Sequence, residues 1–280
     1  MNPQGTGDPP LPPEWCGFPD LLHRLDGFGG HRFQFVEVTR STNDDLKHAW
    51  SDPGIPAPPM VLVAGHQTAG RGRVERAWHD APGCSLLCSF SWSWPLTDFS
   101  RFSLNPALGM ALAMHRAFSR MGTPSRPIEL KWPNDLMVGT DKLGGVLVDA
   151  TLQGKTMHVV IGFGVNCRPL LEDHPPPMTN SFNPISLAEL GLPASLPGCL
   201  QRVLAAWAGV APYLSDPALL REFKAHGGRF WGAPSTAWLP DGTRVQGRPV
   251  DLLRGGALAF RTADGRLLTL SSVHRILPET

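Results

Sequence analysis

Between residues 136 and 165 the chain alternates apolar runs with tight turns, and this pattern constrains the fold more than any other feature. The runs are Leu136–Val138, Val146–Leu152 and Met157–Val165, separated by Gly139-Thr140-Asp141 and Gln153-Gly154-Lys155. A glycine beside a polar residue supplies the backbone of a hairpin reversal, so the three runs are predicted to lie side by side as an antiparallel meander. Upstream, Phe33–Val38, Val61–Gln67, Ser85–Trp92 and Ile128–Trp132 read as further strands. Ser41, with Asp44 three residues on, is placed to cap a helix that stops before the proline-rich stretch at 52–59. Ser103–Arg120 carries an apolar stripe with Met110 and Met114 at helical spacing and Gly122 just beyond, the pattern of a core helix. Further helices are expected within 18–30 and at about 186–190, 198–213 and 217–226.

Past a proline- and glycine-rich boundary near 232–234 the pattern is all short strands, divided by Asp241-Gly242, Gly255-Gly256 and Asp264-Gly265. The expectation is an α+β fold: a mixed or antiparallel sheet with helices, followed by a small barrel-like β domain. Residues 1–30 are set apart as a proline-rich, partly disordered arm, with five prolines in the first thirteen positions. The domain limits that follow are 1–30, 31–232 and 233–280.

Composition excludes several classes of function. The formal net charge is +1, so no global field draws the chain to nucleic acid or an anionic membrane, and any anion chemistry must use a local basic patch. Five cysteines in 280 residues argue against a disulfide scaffold. Cys84 and Cys88 alternate with apolar residues without a second pair at zinc spacing, and they read as buried thiols. There is neither a secretory signal nor an apolar run of roughly 18 residues, so the default is a cytoplasmic protein.

Four segments carry chemistry. Gly70-Arg71-Gly72-Arg73-Val74-Glu75-Arg76 concentrates three arginines on a bendable backbone. Guanidinium forks match carboxylate and phosphate oxygens in pairs, although such a loop can equally be a solvated basic turn. Lys131-Trp132-Pro133-Asn134-Asp135 leaves a strand through a proline into two turn formers. It is either an ordinary turn or a fixed ammonium beside a carboxylate that can accept hydrogen bonds or a metal. Lys142-Leu143-Gly144-Gly145 sets a lysine at a strand entry before two glycines, which admit a ligand close to the backbone, and its ammonium can stabilise developing negative charge. Gly162-Phe163-Gly164-Val165-Asn166 places glycines within a strand and an amide at its end, a close-approach site or a bulge. His66 and His79 flank the arginine loop without a partner at metal spacing and read as ordinary polar residues. Trp92, Trp94, Trp207, Trp231 and Trp238 read as packing residues.

These segments in this order resemble the biotin–protein ligase family. The matching residues are Ser41-Thr42-Asn43, Gln67 with Gly70-Arg71-Gly72-Arg73, Trp78, Lys131 to Asp135, Lys142 to Leu147 and Ile161 to Asn166, with weaker likeness at Ser186-Leu187 and Ala211–Leu214. The resemblance spans about residues 33–280 and implies a catalytic α+β domain followed by an SH3-like barrel. It implies ATP and biotin as substrates with Mg²⁺, and a biotin carboxyl carrier domain of a carboxylase as protein partner. Ser41, Thr42, Asn43, Gln67 and Gly145 are then expected around biotin, with Arg71, Gly72 and Arg73 on a loop over its carboxylate. Lys142 and Arg73 become the catalytic cations. Arg76, Trp78, Lys131, Asn134, Asp135 and Asn166 fall on the nucleotide side, with Trp78 walling the adenine or the ordered loop and Asp135 as the magnesium ligand. Either a monomer or a homodimer fits.

The sequence departs from the family in two places. Glu75 stands where the family's loop usually has glycine, which predicts altered loop closure. About 32 residues precede the first matching strand, too few for the winged helix of the repressor members, so a monofunctional enzyme without DNA binding is expected. Two other readings compete: a lipoate- or octanoate-protein ligase, and a non-catalytic biotin-binding module.

Overall fold

A computed structural model of the protein describes residues 10–49, 59–73, 77–170 and 182–278. The predicted meander is its centre. Strands β5 (Asp135–Val138), β6 (Asp141–Gln153) and β7 (Thr156–Asn166) run antiparallel through two-residue turns that open on Gly139 (φ +62°) and Gly154 (φ +58°). Left-handed backbone is free of Cβ strain only in glycine, which is why the reversals sit there. The meander belongs to a seven-stranded sheet in the order β1-β2-β3-β7-β6-β5-β4, with β1 (Arg32–Thr39), β2 (Met60–Gln67), β3 (Ser85–Pro95) and β4 (Glu129–Lys131). β1 and β2 pair in parallel and every other pair is antiparallel, so the sheet is mixed as expected. Helix α2 (Thr42–Ala49) follows β1; before them comes the short α1 (Phe18–Leu22).

The two faces of the sheet differ, and this positions the site. Alternate side chains of a strand point to opposite faces. On one face Phe90 of β3 and Val159, Ile161, Phe163 and Val165 of β7 join the main core. That core is covered by α4 (Pro106–Ser119) and α5 (Leu196–Ala208); α3 (Leu96–Phe99) is a single turn between β3 and α4, and α6 (Pro217–Ala225) follows α5. Asn105 caps α4 by accepting the Leu108 N–H at 3.0 Å. On the other face α2 contributes only Leu46, packed on Leu62 and Val160. Three central positions there are small: Ser89, Gly162 and Gly164.

Residues 10–30, read from the sequence as part of an arm, pack onto the first sheet: Trp15, Phe18, Leu22 and Phe28 are buried, and Trp15 stacks on Phe33 at 5.6 Å. Proline density masked four large apolar side chains, each contributing roughly 1.5–3 kcal/mol on burial. Residues 1–9 lie outside the described residues. The helix expected at 186–190 is one turn only. Ser186 and Glu189 form a reciprocal cap (Ser186 N–H to Glu189 Oε2 2.9 Å, Glu189 N–H to Ser186 Oγ 3.3 Å), and Gly191 (φ +74°) ends it.

The C-terminal segment forms a five-stranded antiparallel sheet in the order β11-β10-β9-β8-β12, from β8 (Ser235–Trp238), β9 (Arg244–Leu252), β10 (Leu258–Thr262), β11 (Leu267–Leu270) and β12 (Arg275–Pro278). Among the described residues β11 and β12 do not pair, so the sheet is open where a closed barrel was expected. Both edge strands are four residues long, and Pro278 offers no N–H to a further ladder. Buried Trp132 ties the two sheets together by donating its indole N–H to the Gly256 carbonyl at 2.9 Å.

Candidate functional site

Gly162 and Gly164 floor the site. A Cβ on Gly162 would fall 1.7 Å from Asn43 Oδ1, and one on Gly164 would fall 2.6 Å from Trp78 Cε2. The first glycine therefore admits the end of α2 to the sheet and the second admits the tryptophan. Both point to the same face because they are two residues apart on one strand.

The α2 end is a buried polar cluster. Gln67, closing β2, accepts the Thr42 N–H at 2.8 Å and lies 3.0 Å from the Thr42 hydroxyl. Thr42 Oγ1 is 2.6 Å from Ser89 Oγ, and Ser89 donates to Asn43 Oδ1 at 2.6 Å. The Asn43 amide donates to Asp149 Oδ2 at 3.1 Å, while Lys47 holds Asp149 Oδ1 at 3.1 Å. Ser41 is buried, with its hydroxyl facing the Asp44 N–H at 3.4 Å as the helix cap. Of the residues predicted here, Thr42, Asn43 and Gln67 are thus brought together with Ser41 at their edge. Ser89 and Asp149 were missed. In the sequence Ser89 is one of four serines in β3, and Asp149 is the one carboxylate in the run Val146–Leu152.

The opposite end is cationic. Lys142 Nζ lies 2.5 Å from Asp135 Oδ1, and Lys131 Nζ lies 3.7 Å from Asp135 Oδ2. All three side chains are largely buried, and two ammonium groups with one carboxylate leave one positive charge. A Cβ on Gly145 would sit 3.2 Å from Lys142 Nζ, so this glycine lets the lysine lie flat across β6. Trp78 closes the space from above, with Lys142 Nζ 5.7 Å from its ring, a cation–π distance. Lys131 Nζ lies over the Phe182 ring at 4.8 Å.

Asn134 and Asn166, expected to contact the nucleotide, brace the backbone in this structure. Asn134 Nδ2 donates to the Val146 carbonyl at 2.5 Å. Asn166 Nδ2 donates to the carbonyls of Lys142 at 3.2 Å and Ile185 at 3.3 Å. Together with the Lys142 N–H to Asn183 carbonyl bond at 2.7 Å, they fix the strand entry that carries the lysine. Asp135, read as a magnesium ligand, has its oxygens turned to two ammonium groups. A carboxylate so neutralised is a poor resident metal site, and among the described residues no cluster of three or more metal-binding side chains occurs.

The base of the arginine loop touches both ends. The Trp78 backbone N–H donates to the Gly70 carbonyl at 2.8 Å, and Arg71 pairs with Ala77 as an antiparallel bridge, so the loop leaves and returns at its base beside Trp78. Gly72 and Arg73 follow Arg71 into the loop; Val74, Glu75 and Arg76 lie outside the described residues, and with them the expectation for Glu75. Arg71 forms an ion pair with Asp44 on α2, which draws the loop base toward the polar cluster. His66 bonds the buried Asp80 at 2.9 Å and so fixes the segment returning from the loop, in line with an ordinary polar role.

The arrangement sets a neutral hydrogen-bonding end and a cationic end on one glycine-floored face, with the base of the arginine loop joined to the first by Arg71 and to the second by Trp78. It suits a molecule with a polar head and an anionic tail that must meet a second anion.

Comparison with known proteins agrees with this reading. Residues 35–166 match the biotin/lipoate A/B protein ligase family. The biotin–[acetyl-CoA-carboxylase] ligase of Mycobacterium tuberculosis is 31% identical over 178 residues, covering 60% of this chain and 59% of its own. The bifunctional ligase/repressor BirA of Escherichia coli is 33% identical over 107 residues, covering 38% of this chain and 32% of its own. The chain thus spans between about a third and three fifths of these relatives' length. In fold, the biotin protein ligase of Aquifex aeolicus in complex with biotin and ATP superposes with a TM-score of 0.66 at 20% identity, over 89% of this chain and 99% of that one. The Leishmania major biotin protein ligase in complex with biotinyl-5-AMP gives 0.57 at 21% identity, over 86% and 99%. Residues 35–166 thus carry the match to the biotin/lipoate A/B protein ligase family, and most of the chain shares its fold with solved biotin protein ligases.

Proposed function

We propose that the protein is an ATP-dependent biotin–protein ligase that forms biotinyl-5′-AMP and transfers biotin to a lysine of a biotin carboxyl carrier domain. The observation that carries this reading is the placement of Lys142. Its ammonium lies across Gly145, bonded to Asp135 and beneath Trp78, on the glycine-floored face that also holds Thr42, Asn43 and Gln67.

In this reading the ring of biotin occupies the polar end and its carboxylate points to Lys142. MgATP enters as a substrate from the side of Lys131 and Asp135, its magnesium travelling with the phosphates. A carboxylate oxygen of biotin attacks the α-phosphorus and pyrophosphate leaves. Lys142 and Arg73 lower the repulsion between the two anions and stabilise charge on the α-phosphate oxygens. The loop from Gly70 covers the mixed anhydride and keeps water from it. A neutral carrier lysine then attacks the acyl carbon, AMP departs and an amide forms. Residues 31–232 would hold this chemistry and residues 233–280 form the second domain. The five free cysteines, four of them buried, suit a reducing compartment such as the cytoplasm.

The test is incubation with biotin, MgATP and a carrier domain, with pyrophosphate release and the mass of the carrier as readouts. The expected result is one biotinyl addition to the carrier, abolished in Lys142→Ala. Equal modification by lipoate, or no pyrophosphate release with biotin, overturns the assignment.

A further inference from the structure

We infer that Asp149 is a positioning residue that sets the direction of hydrogen bonding in the pocket for the biotin ring, and thereby its preference for a ring that donates N–H groups. The inference rests on the biotin reading above and concerns a residue three hydrogen bonds removed from the Thr42 hydroxyl.

The argument is one of proton count. A carboxylate only accepts hydrogen bonds, so the group of Asn43 that faces Asp149 Oδ2 at 3.1 Å must be its NH₂. The same NH₂ also reaches the Leu147 carbonyl at 3.4 Å, a second acceptor that gives the same orientation. The Asn43 oxygen then faces Ser89 at 2.6 Å and can only accept, so the single Ser89 proton is committed to it. Thr42, 2.6 Å from Ser89 Oγ, must therefore act as the donor of that pair. The single Thr42 proton is then shared in a three-centre bond between Ser89 Oγ and the Gln67 oxygen at 3.0 Å, and the Thr42 hydroxyl keeps its lone pairs for an incoming donor. Gln67 is fixed in turn, because its oxygen accepts the Thr42 N–H at 2.8 Å and its NH₂ is left facing Gly70, whose Cβ position lies 3.0 Å away.

The relay thus begins at a charge and ends at an acceptor. A cyclic urea carries two N–H donors and meets such an acceptor directly; a dithiolane ring carries none. Gly162 keeps the chain intact by leaving space for Asn43. Lys47 steadies the other Asp149 oxygen from the same helix that bears Thr42 and Asn43.

The test uses the full chain and compares the equilibrium binding of biotin with that of biotin methylated at a ureido nitrogen. The ratio of the two affinities is independent of the fraction of protein that is folded. Asp149→Asn replaces an obligate acceptor with a group that can face Asn43 either way. It is expected to weaken biotin about tenfold and to lower the ratio about fivefold, the size of a hydrogen bond to a charged relay, with the KM for MgATP unchanged. Ser89→Ala cuts the same relay at its middle and is expected to lower the ratio equally, with no further loss in the double variant. Should Asp149→Asn fail to fold, Ser89→Ala takes the same test alone. An unchanged ratio in the variant tested, or losses that multiply in the double variant, overturns the relay. A wild-type protein that binds no biotin overturns the functional reading beneath it.

Discussion

Replacing Gly162 by alanine tests the site at its tightest point. The new Cβ would fall 1.7 Å from Asn43 Oδ1, 2.7 Å from Asn43 Cγ and 3.0 Å from Ser89 Oγ. The strand cannot yield, because β7 is bonded to β3 through Gly162–Ser89 and to β6 through Gly162–Leu147. The Asn43 amide must leave instead, and with it go the bonds to Ser89 and Asp149. A neutral buried hydrogen bond contributes about 1 kcal/mol and one to a charged group about 1.5–3, so the loss is about 2–4 kcal/mol before any repair by solvent. That loss falls on folding stability; biotin in turn loses the pocket groups that Asn43 holds in place, and two hydrogen bonds of about 1 kcal/mol each correspond to about 30-fold weaker binding. The fold should survive, since alanine in a strand interior costs no more than glycine. Calorimetric titration with biotin, alongside thermal unfolding, reads both quantities. Gly162→Ala protein that melts like wild type and binds biotin within about threefold of it would refute the reasoning, because Asn43 would then lie outside the binding surface.

Gly164→Ala strikes the other wall, with its Cβ 2.6 Å from Trp78; it should raise the KM for MgATP, measured by pyrophosphate release, more than it changes biotin affinity. Lys142→Ala is expected to slow pyrophosphate release by about 100-fold or more in single-turnover assays, the scale for removing a group that stabilises developing charge. Breaking the Arg71–Asp44 pair with Asp44→Ala should speed escape of the activated intermediate, followed by filtration of labelled biotinyl-AMP, and Arg71→Ala should add little to it. His115 is buried beside His226, and burial first, then the neighbouring His226 charge, lowers its pKa from 6.5 to about 4. The folded state therefore disfavours the protonated ring: its stability is unaffected above pH 6.5 and falls as pH drops from 6.5 to about 4, where the unfolded chain binds the extra proton. The shift of 6.5 minus about 4 limits that loss to roughly 3 kcal/mol. Denaturant unfolding at pH 7, 5.5 and 4.5 should show a shallower acid limb in His115→Gln, and identical limbs would refute it.

The meander, the mixed sheet and the core helix were legible because each depends on local periodicity and on glycine at the turns. The closed C-terminal barrel was not met, since closure depends on whether two four-residue edge strands reach each other. The short helix within 18–30 was legible, but the docking of residues 10–30 was not, for a related reason: proline density records the freedom of an isolated chain, whereas the docking of Trp15 on Phe33 depends on a surface built elsewhere.

The site divides in the same way. Charge, glycine and their order along the chain are local properties, and they were enough to show a family resemblance. Packing set the partners. It turned Asp135 toward two lysines, gave Asn134 and Asn166 to the backbone, and brought Ser89 and Asp149 to Thr42 and Asn43. Asn43 and Asp149 are 106 positions apart in the chain. No local pattern encodes such a pair, because its hydrogen bond exists only after α2 has packed across the sheet at the place where Gly162 leaves room.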